Sequence, residues 1–266
     1  MLNKKIQAIL VCPETKKSVH LASQPLIDEL NFRIEREEIK TRGGHKVENK
    51  IDGGLLYEDG TWLYPIENGT PIMVINEAIP TNHPPIATAD TINVDNTAEL
   101  LLNAGCGQRP LPGFINVDFE KSSKADVICD LRYLPFKNGV MSKILCNHVL
   151  EHLNEDMWRG KAEISEAVLE FSRVLNKNGN VEIEVPSPQG QDAVRGDHFT
   201  VYGHLRLIAI FRLYFESVKC AGVGTWVEAR GLIRLFNKLS KWDPYWGNAY
   251  KFFLSNPKSM TQIVMY

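Results

Sequence analysis

The stretch Glu99-Leu100-Leu101-Leu102-Asn103-Ala104-Gly105-Cys106-Gly107 constrains this chain more than any other. Three leucines able to fill a buried strand run straight into Gly-x-Gly. An acidic strand end follows at Ile115-Asn116-Val117-Asp118. A glycine turn at the carboxyl end of a first parallel strand lets a ligand approach the backbone where any Cβ would block it. An acid ending the second strand is placed to take two ribose hydroxyls. Alone, Gly-x-Gly marks only a tight turn. The motifs that follow it in order make it specific.

Next come Ala125-Asp126-Val127-Ile128-Cys129-Asp130-Leu131 and Leu134-Pro135-Phe136. After them stands Lys143-Ile144-Leu145-Cys146-Asn147-His148-Val149-Leu150-Glu151-His152-Leu153. In this order the motifs resemble a class I S-adenosylmethionine (SAM)-dependent methyltransferase: a GCG turn, an acidic strand end, Asp-Leu before an LPF turn, and HVLEHL after the fourth strand. The resemblance is close over residues 97 to 186 and general from there to Tyr266. It implies a doubly wound, Rossmann-like α/β domain that binds SAM. One departure stands out. Gln108-Arg109-Pro110-Leu111-Pro112-Gly113 holds two prolines and a glycine where the family has its first crossover helix. An irregular loop is expected there, and with it a more open cofactor pocket.

With 266 residues, 44% hydrophobic and 23% charged, the chain can bury one large core or two smaller ones. A net charge of −2 argues against bulk electrostatic gripping of nucleic acid. Five cysteines without regular spacing make no disulfide framework. A reducing, cytoplasmic setting is expected. The run from Ile6 to Cys12 is broken by Gln7 and ends at Pro13, too short and polar for a signal peptide, and no later run suits a membrane span.

Residues 1–78 read as a separate small α+β unit. A helix is expected from Gln24 to about Lys40, with Leu26, Leu30 and Ile34 at helical spacing, ended by Gly43-Gly44. Leu55-Leu56-Tyr57 and Trp62-Leu63-Tyr64 read as a hairpin around Glu58-Asp59-Gly60. Cys12-Pro13 at one end and Tyr64-Pro65-Ile66-Glu67-Asn68-Gly69-Thr70-Pro71-Ile72-Met73 at the other resemble the zinc-ribbon-like activator subunits of tRNA and protein methyltransferases. Cys12 is the unit's lone cysteine, and His20 and His45 lack ligand spacing, whereas a closed zinc site needs about four ligands. A zinc-ribbon-like domain without metal is therefore expected. A proline-bearing linker, 79–96, would join it to a methyltransferase domain at 97–266, on which residues 1–78 would dock within the chain.

Within 97–266, a helix is expected near 160–175, stopped by Asn178-Gly179. A strand follows at 181–185 and a helix near 205–215. Runs at 215–219 and 261–266 would form the closing hairpin. By resemblance, Gly105 and Gly107 would lie against the methionine part of SAM, with Asn103 and Cys106 beside them. Asp118 would take the ribose hydroxyls, next to Phe119. Asp130 would take the adenine amino group and Leu131 the adenine face. Asn147 and His148 would line the wall near the methyl group. For Asp118 and Asp130 the bland alternative is a turn or capping acid. Glu151 and His152 equally suit a helix start and a surface.

Methyl transfer needs in-line placement, dry surroundings and, for some acceptors, a base. His198, in a polar loop after the fifth strand, is the candidate base, set against a surface histidine. Arg230, Arg234, Lys238 and Lys241, followed by Trp242, Tyr245, Trp246, Tyr250, Phe252 and Phe253, suit a membrane or phosphorylated partner, or simply a solvated face over a core. The expected activity is methyl transfer from SAM to a small-molecule acceptor. An RNA methyltransferase is the first alternative, opposed by the charge and by Cys146-Asn147-His148-Val149 in place of an Asn/Asp-Pro-Pro-Tyr motif. A non-catalytic SAM-fold module is the second.

Overall fold

The computed structural model describes residues 2–81, 99–156, 160–188, 203–223 and 249–258. Along the first part run α1 (Lys4–Ile9), β1 (Val19–Leu21), α2 (Gln24–Glu35), β2 (Gly53–Tyr57), β3 (Trp62–Glu67), β4 (Thr70–Met73) and β5 (Ile79–Pro80). Then come β6 (Leu101–Ala104), β7 (Ile115–Asp118), β8 (Val127–Cys129) and β9 (Met141–Asn147). The remainder holds α3 (Glu163–Val174), β10 (Leu175–Pro186), α4 (His204–Tyr214), β11 (Phe215–Val223) and β12 (Ala249–Pro257). The chain divides into two compact units, residues 1–99 with 106–140, and residues 100–105 with 141–266.

In the first unit, α2 buries Leu26, Ile27, Leu30 and Ile34 in a core with Ile39, Val47, Ile51, Leu56, Leu63 and Ile79. Fully burying an apolar side chain of this kind stabilises by about 1.5–3 kcal/mol. The helix ends at Glu35, well before Gly43-Gly44. Glu37 takes a left-handed φ of 61°. Its N–H bonds Ile34 O at 2.9 Å, and Glu38 N–H bonds Arg33 O at 3.0 Å. This is a Schellman close, made with a glutamate where glycine is usual.

Strand order in this unit is β1-β2-β3-β4-β8-β7. β1 to β4 pair antiparallel as the expected hairpin and its extensions. β4 then lies parallel to β8, Ile72 opposite Ile128 and Met73 opposite Cys129. β7 continues in parallel beyond it. The N-terminal residues thus share a sheet with strands that follow the glycine turn. Further ties run from Val11 N–H to Pro135 O and from Lys137 N–H to Ile9 O, both at 2.9 Å. Lys16 Nζ reaches Leu134 O at 3.3 Å. Cys12 Sγ lies 3.3 Å from Tyr64 Oη, both side chains buried. Among the described residues no three His, Cys, Asp or Glu side chains gather as a metal would require. The zinc-ribbon resemblance stays with the sequence.

A doubly wound sheet calls for helices between its strands, yet residues 105–126 carry none. Pro110, Pro112 and Gly113 forbid one in the first crossover. The second, residues 119–126, is too short for a helix and its approach to the sheet. The sheet is mixed α/β with loop crossovers at this end.

The second unit runs β6-β9-β10-β12-β11. β6, β9 and β10 are parallel; β10, β12 and β11 are antiparallel. α3 buries Ile164, Val168 and Phe171 on one stripe. It ends at Val174 because Leu175 already turns extended and pairs with Met141, ahead of Asn178-Gly179. α4 buries Leu207 and Phe211, the latter edge-on to Phe252 with centroids 5.0 Å apart. The partner of β11 is 249–257, from the aromatic run, because Tyr250, Phe252 and Leu254 alternate inward as a strand requires. The run 261–266, expected in that place, lies outside the described residues, as do residues 230–246 of the basic and aromatic stretch. No helix among the described residues is long and apolar enough to cross a membrane.

Candidate functional site

In the first unit the site is built on the carboxyl end of β7. Gly107 N–H donates to Asp118 Oδ2 at 2.7 Å. Glu120 N–H donates to Asp118 Oδ1 at 2.9 Å. An ionised carboxylate has about four lone-pair sites, so each oxygen keeps capacity for a further donor. The turn is stitched from both sides: Cys106 N–H bonds Val117 O at 3.0 Å, and Lys124 N–H bonds Gly107 O at 2.9 Å. A Cβ on Gly107 would meet nothing within 4 Å, so its backbone is open to an incoming group. Burial, with Asp118 and then Asp126 nearby, pushes the Cys106 thiol up to about 11. It stays a neutral thiol near neutral pH.

What holds this helix-free loop in shape was not legible in the motifs. Asn116 is buried in β7, with Asp126 beside it. Asn116 Oδ1 accepts from Leu111 N–H at 2.7 Å, while its Nδ2 donates to Phe114 O at 3.1 Å. Asp126 Oδ2 accepts from Asn116 N–H at 2.8 Å. Two polar side chains do here what a crossover helix does elsewhere. The only sequence signal was a polar residue at an inward strand position.

Phe119, next to Asp118, has a largely exposed ring (56%). Asp130 caps the short 3-10 turn Leu131–Tyr133 through Arg132 N–H at 2.9 Å. It also pairs with the Arg132 guanidinium, Nη2 to Oδ2 at 2.6 Å. The capping geometry is thus present in full. Leu131 is buried beside it.

In the second unit, Asn103 is buried on β6 and Gly105 ends that strand's exit with φ 74°. Asn147 closes β9, exposed and opposite Glu184 of β10. His148 follows with a left-handed φ of 54°, its N–H bonded to Glu184 O at 2.8 Å. Its Nδ1 lies 3.3 Å from Glu151 Oε1 and its Nε2 3.5 Å from Glu184 Oε1. The Glu151 carboxylate is buried, with the His148 ring beside it. Glu151 and then Glu184 raise the His148 pKa to about 10, against a smaller opposing effect of burial. The same contact lowers that of Glu184. Glu184 was missed in the sequence, although the alternation Val181-Glu182-Ile183-Glu184-Val185 puts it on the polar face of its strand. His198 lies outside the described residues.

A pKa raised on folding stabilises the native state fully below the unfolded value and is lost as pH rises through the folded one. The window here runs from the ordinary histidine value of 6.5 up to about 10. Melting temperature is therefore expected to fall across it, and His148→Gln to flatten the fall. Thermal melts of both proteins at stepped pH check this. Parallel curves would show that His148 is not the titrating group.

No protein-family model matches the sequence, and no curated protein matches it significantly. Among solved structures, the chain is similar to a SAM-dependent methyltransferase from Archaeoglobus fulgidus, at 18% identity and TM-score 0.43, over 61% of this chain and 87% of that one. A second similarity is to a SAM-dependent methyltransferase from Thermotoga maritima, at 14% identity and TM-score 0.44, over 60% and 82%. A third is to a chain of a complex containing the Haloferax volcanii Trm112 methyltransferase activator, at 11% identity and TM-score 0.41, over 61% and 85%. At such identities and scores, the chain's own residues have to carry its function.

Proposed function

We propose that this protein is a SAM-dependent methyltransferase acting on a small-molecule acceptor. The observation that carries this reading is the clasp of Gly107 N–H on Asp118 at the carboxyl end of β7, with open backbone on the glycine side. It joins the two motifs singled out in the sequence and leaves acceptor capacity on the carboxylate for a pair of hydroxyls. SAM supplies a sulfonium-activated methyl group. Asp118 would hold its ribose, with the Phe119 ring alongside. Gly105, Cys106 and Gly107, with Asn103, would take the methionine part. Asp130 and Leu131 would take the adenine. Asn147 and His148 belong to the methyl-bearing end.

His148, held protonated, is a poor proton acceptor, and His198 is the proposed base for acceptors that must lose a proton. The net charge of −2 supports a small acceptor over RNA. The proposed organisation is a methyltransferase domain at 97–266, a linker at 79–96, and a metal-free activator-like segment at 1–78. A cytoplasmic location is proposed from its free thiols.

Asp118→Ala removes a charged acceptor from the ribose and strands the Gly107 N–H. A loss of about 1.5–3 kcal/mol, roughly 10- to 150-fold in affinity, is expected. Calorimetric titration with S-adenosylhomocysteine measures it. Equal binding by the two proteins would remove Asp118 from the site.

A further inference from the structure

The left-handed backbone of His148 is unusual for a residue with a side chain, and strain of this kind persists only where the surroundings impose it. Three contacts impose it here: the N–H bond to Glu184 O and the two carboxylates at the ring nitrogens. The next residue, Val149, stands directly against Gly105. A Cβ placed on Gly105 would lie 2.2 Å from Val149 Cγ2 and 3.0 Å from Cγ1. The glycine turn is therefore backed by a side chain whose position depends on the residue before it.

We propose that His148, clamped between Glu151 and Glu184, positions the glycine turn for the cofactor by holding Val149 against Gly105. The inference rests on the reading of that turn as a SAM site. It gives His148 a positioning role besides its proposed place at the methyl-bearing end. A site works at full strength only when a supporting layer of packing and charge locks its backbone. The clamp has three parts from three places: His148 beyond the end of β9, Glu151 in the 3-10 turn Leu150–His152, and Glu184 on β10. Glu151 is the fixed part, since its side chain is only 2% exposed.

The proton on His148 is what keeps the clamp closed. Without it, two carboxylates face a ring that offers only one N–H. Lys251 of β12 acts on Glu184 from the far side and pairs with Glu182 at 3.3 Å. Cys146 of β9 is buried, and burial and then Glu151 push its thiol up. The cofactor affinity should therefore follow the protonation of His148.

The test measures affinity for S-adenosylhomocysteine by calorimetry from about pH 7.5 to about pH 10.5, with a melting curve at each pH to confirm a folded protein. Wild-type affinity is expected to weaken roughly tenfold over this range, the size of an ordinary coupling between residues in contact. Glu184→Gln, which keeps shape and removes one charge, should move the fall to lower pH. Val149→Ala should flatten it, because the clamp then has nothing to press on the turn. His148→Gln should bind weakly at every pH. Wild-type affinity that ignores pH, or a His148→Gln variant that binds like wild type and merely melts lower, would overturn the inference alone. Absence of binding by the wild type at about pH 7.5 would overturn the SAM reading and the inference with it.

Discussion

A chain beginning at residue 82 is expected to aggregate on expression or to melt far below the full-length protein. Removing residues 1–81 takes away β4 and leaves β8 with an unpaired edge. Val127, Ile128 and Cys129 are all buried in the intact protein, and Leu134 and Phe136 are fully so. A bare apolar edge strand is a template for pairing with other chains. The loss also includes the hydrogen bonds from Val11 and to Ile9 that tie down residues 135–137. A gentler variant separates lost sheet pairing from lost mass. Met73→Glu puts an unpaired charge at a fully buried position of β4, opposite Cys129, for about 3–5 kcal/mol of destabilisation. Size-exclusion chromatography and thermal melts of both variants are the measurements. A monomeric truncated protein with an unchanged melting temperature would make residues 1–78 an independent module, with their role at an outside partner.

Gly105→Ala is expected to destabilise the protein by about 2–5 kcal/mol and to abolish measurable cofactor binding. Two effects add. A side chain at φ 74° costs about 1–2 kcal/mol, and forcing Val149 Cγ2 away from a 2.2 Å approach costs about 1–3 kcal/mol more. Gly107→Ala is the control. It bears only the conformational cost, about 1–2 kcal/mol, because nothing stands within 4 Å of its Cβ position at φ 50°. Urea denaturation of the two variants should therefore separate them clearly. Equal destabilisation would mean that Val149 yields freely and does not back the turn.

These contrasts show where sequence reasoning ends. Leu101–Ala104 had to be a strand, because apolar residues running into Gly-x-Gly have few other uses. The prolines at 110 and 112 ruled out a helix in the first crossover by covalent geometry alone. Period-two and helical spacing placed β2, β3, α2, α3, α4 and the Val181–Val185 part of β10, whose first residues were expected in the preceding helix and its stop. Asp118 and Gly107 were legible as a pair because their chemistry is local: an acid ending a strand and an open turn a few residues before it.

The rest depended on which residues the folded chain brings together over long separations. That β4 pairs with β8 could not be read from Thr70–Met73, since an apolar strand carries no label for its partner. That α2 stops at Glu35 depended on a glutamate accepting a left-handed backbone, against its ordinary preference. Asn116 and Asp126 read as ordinary polar residues until the loop they staple was in view. His148 was singled out, but its charge was not, because it depends on Glu151 being buried with its carboxylate against the ring and on Glu184 of another strand. A pKa is a property of surroundings, and the imidazole of His148 shares its proton's field with a carboxylate from another strand.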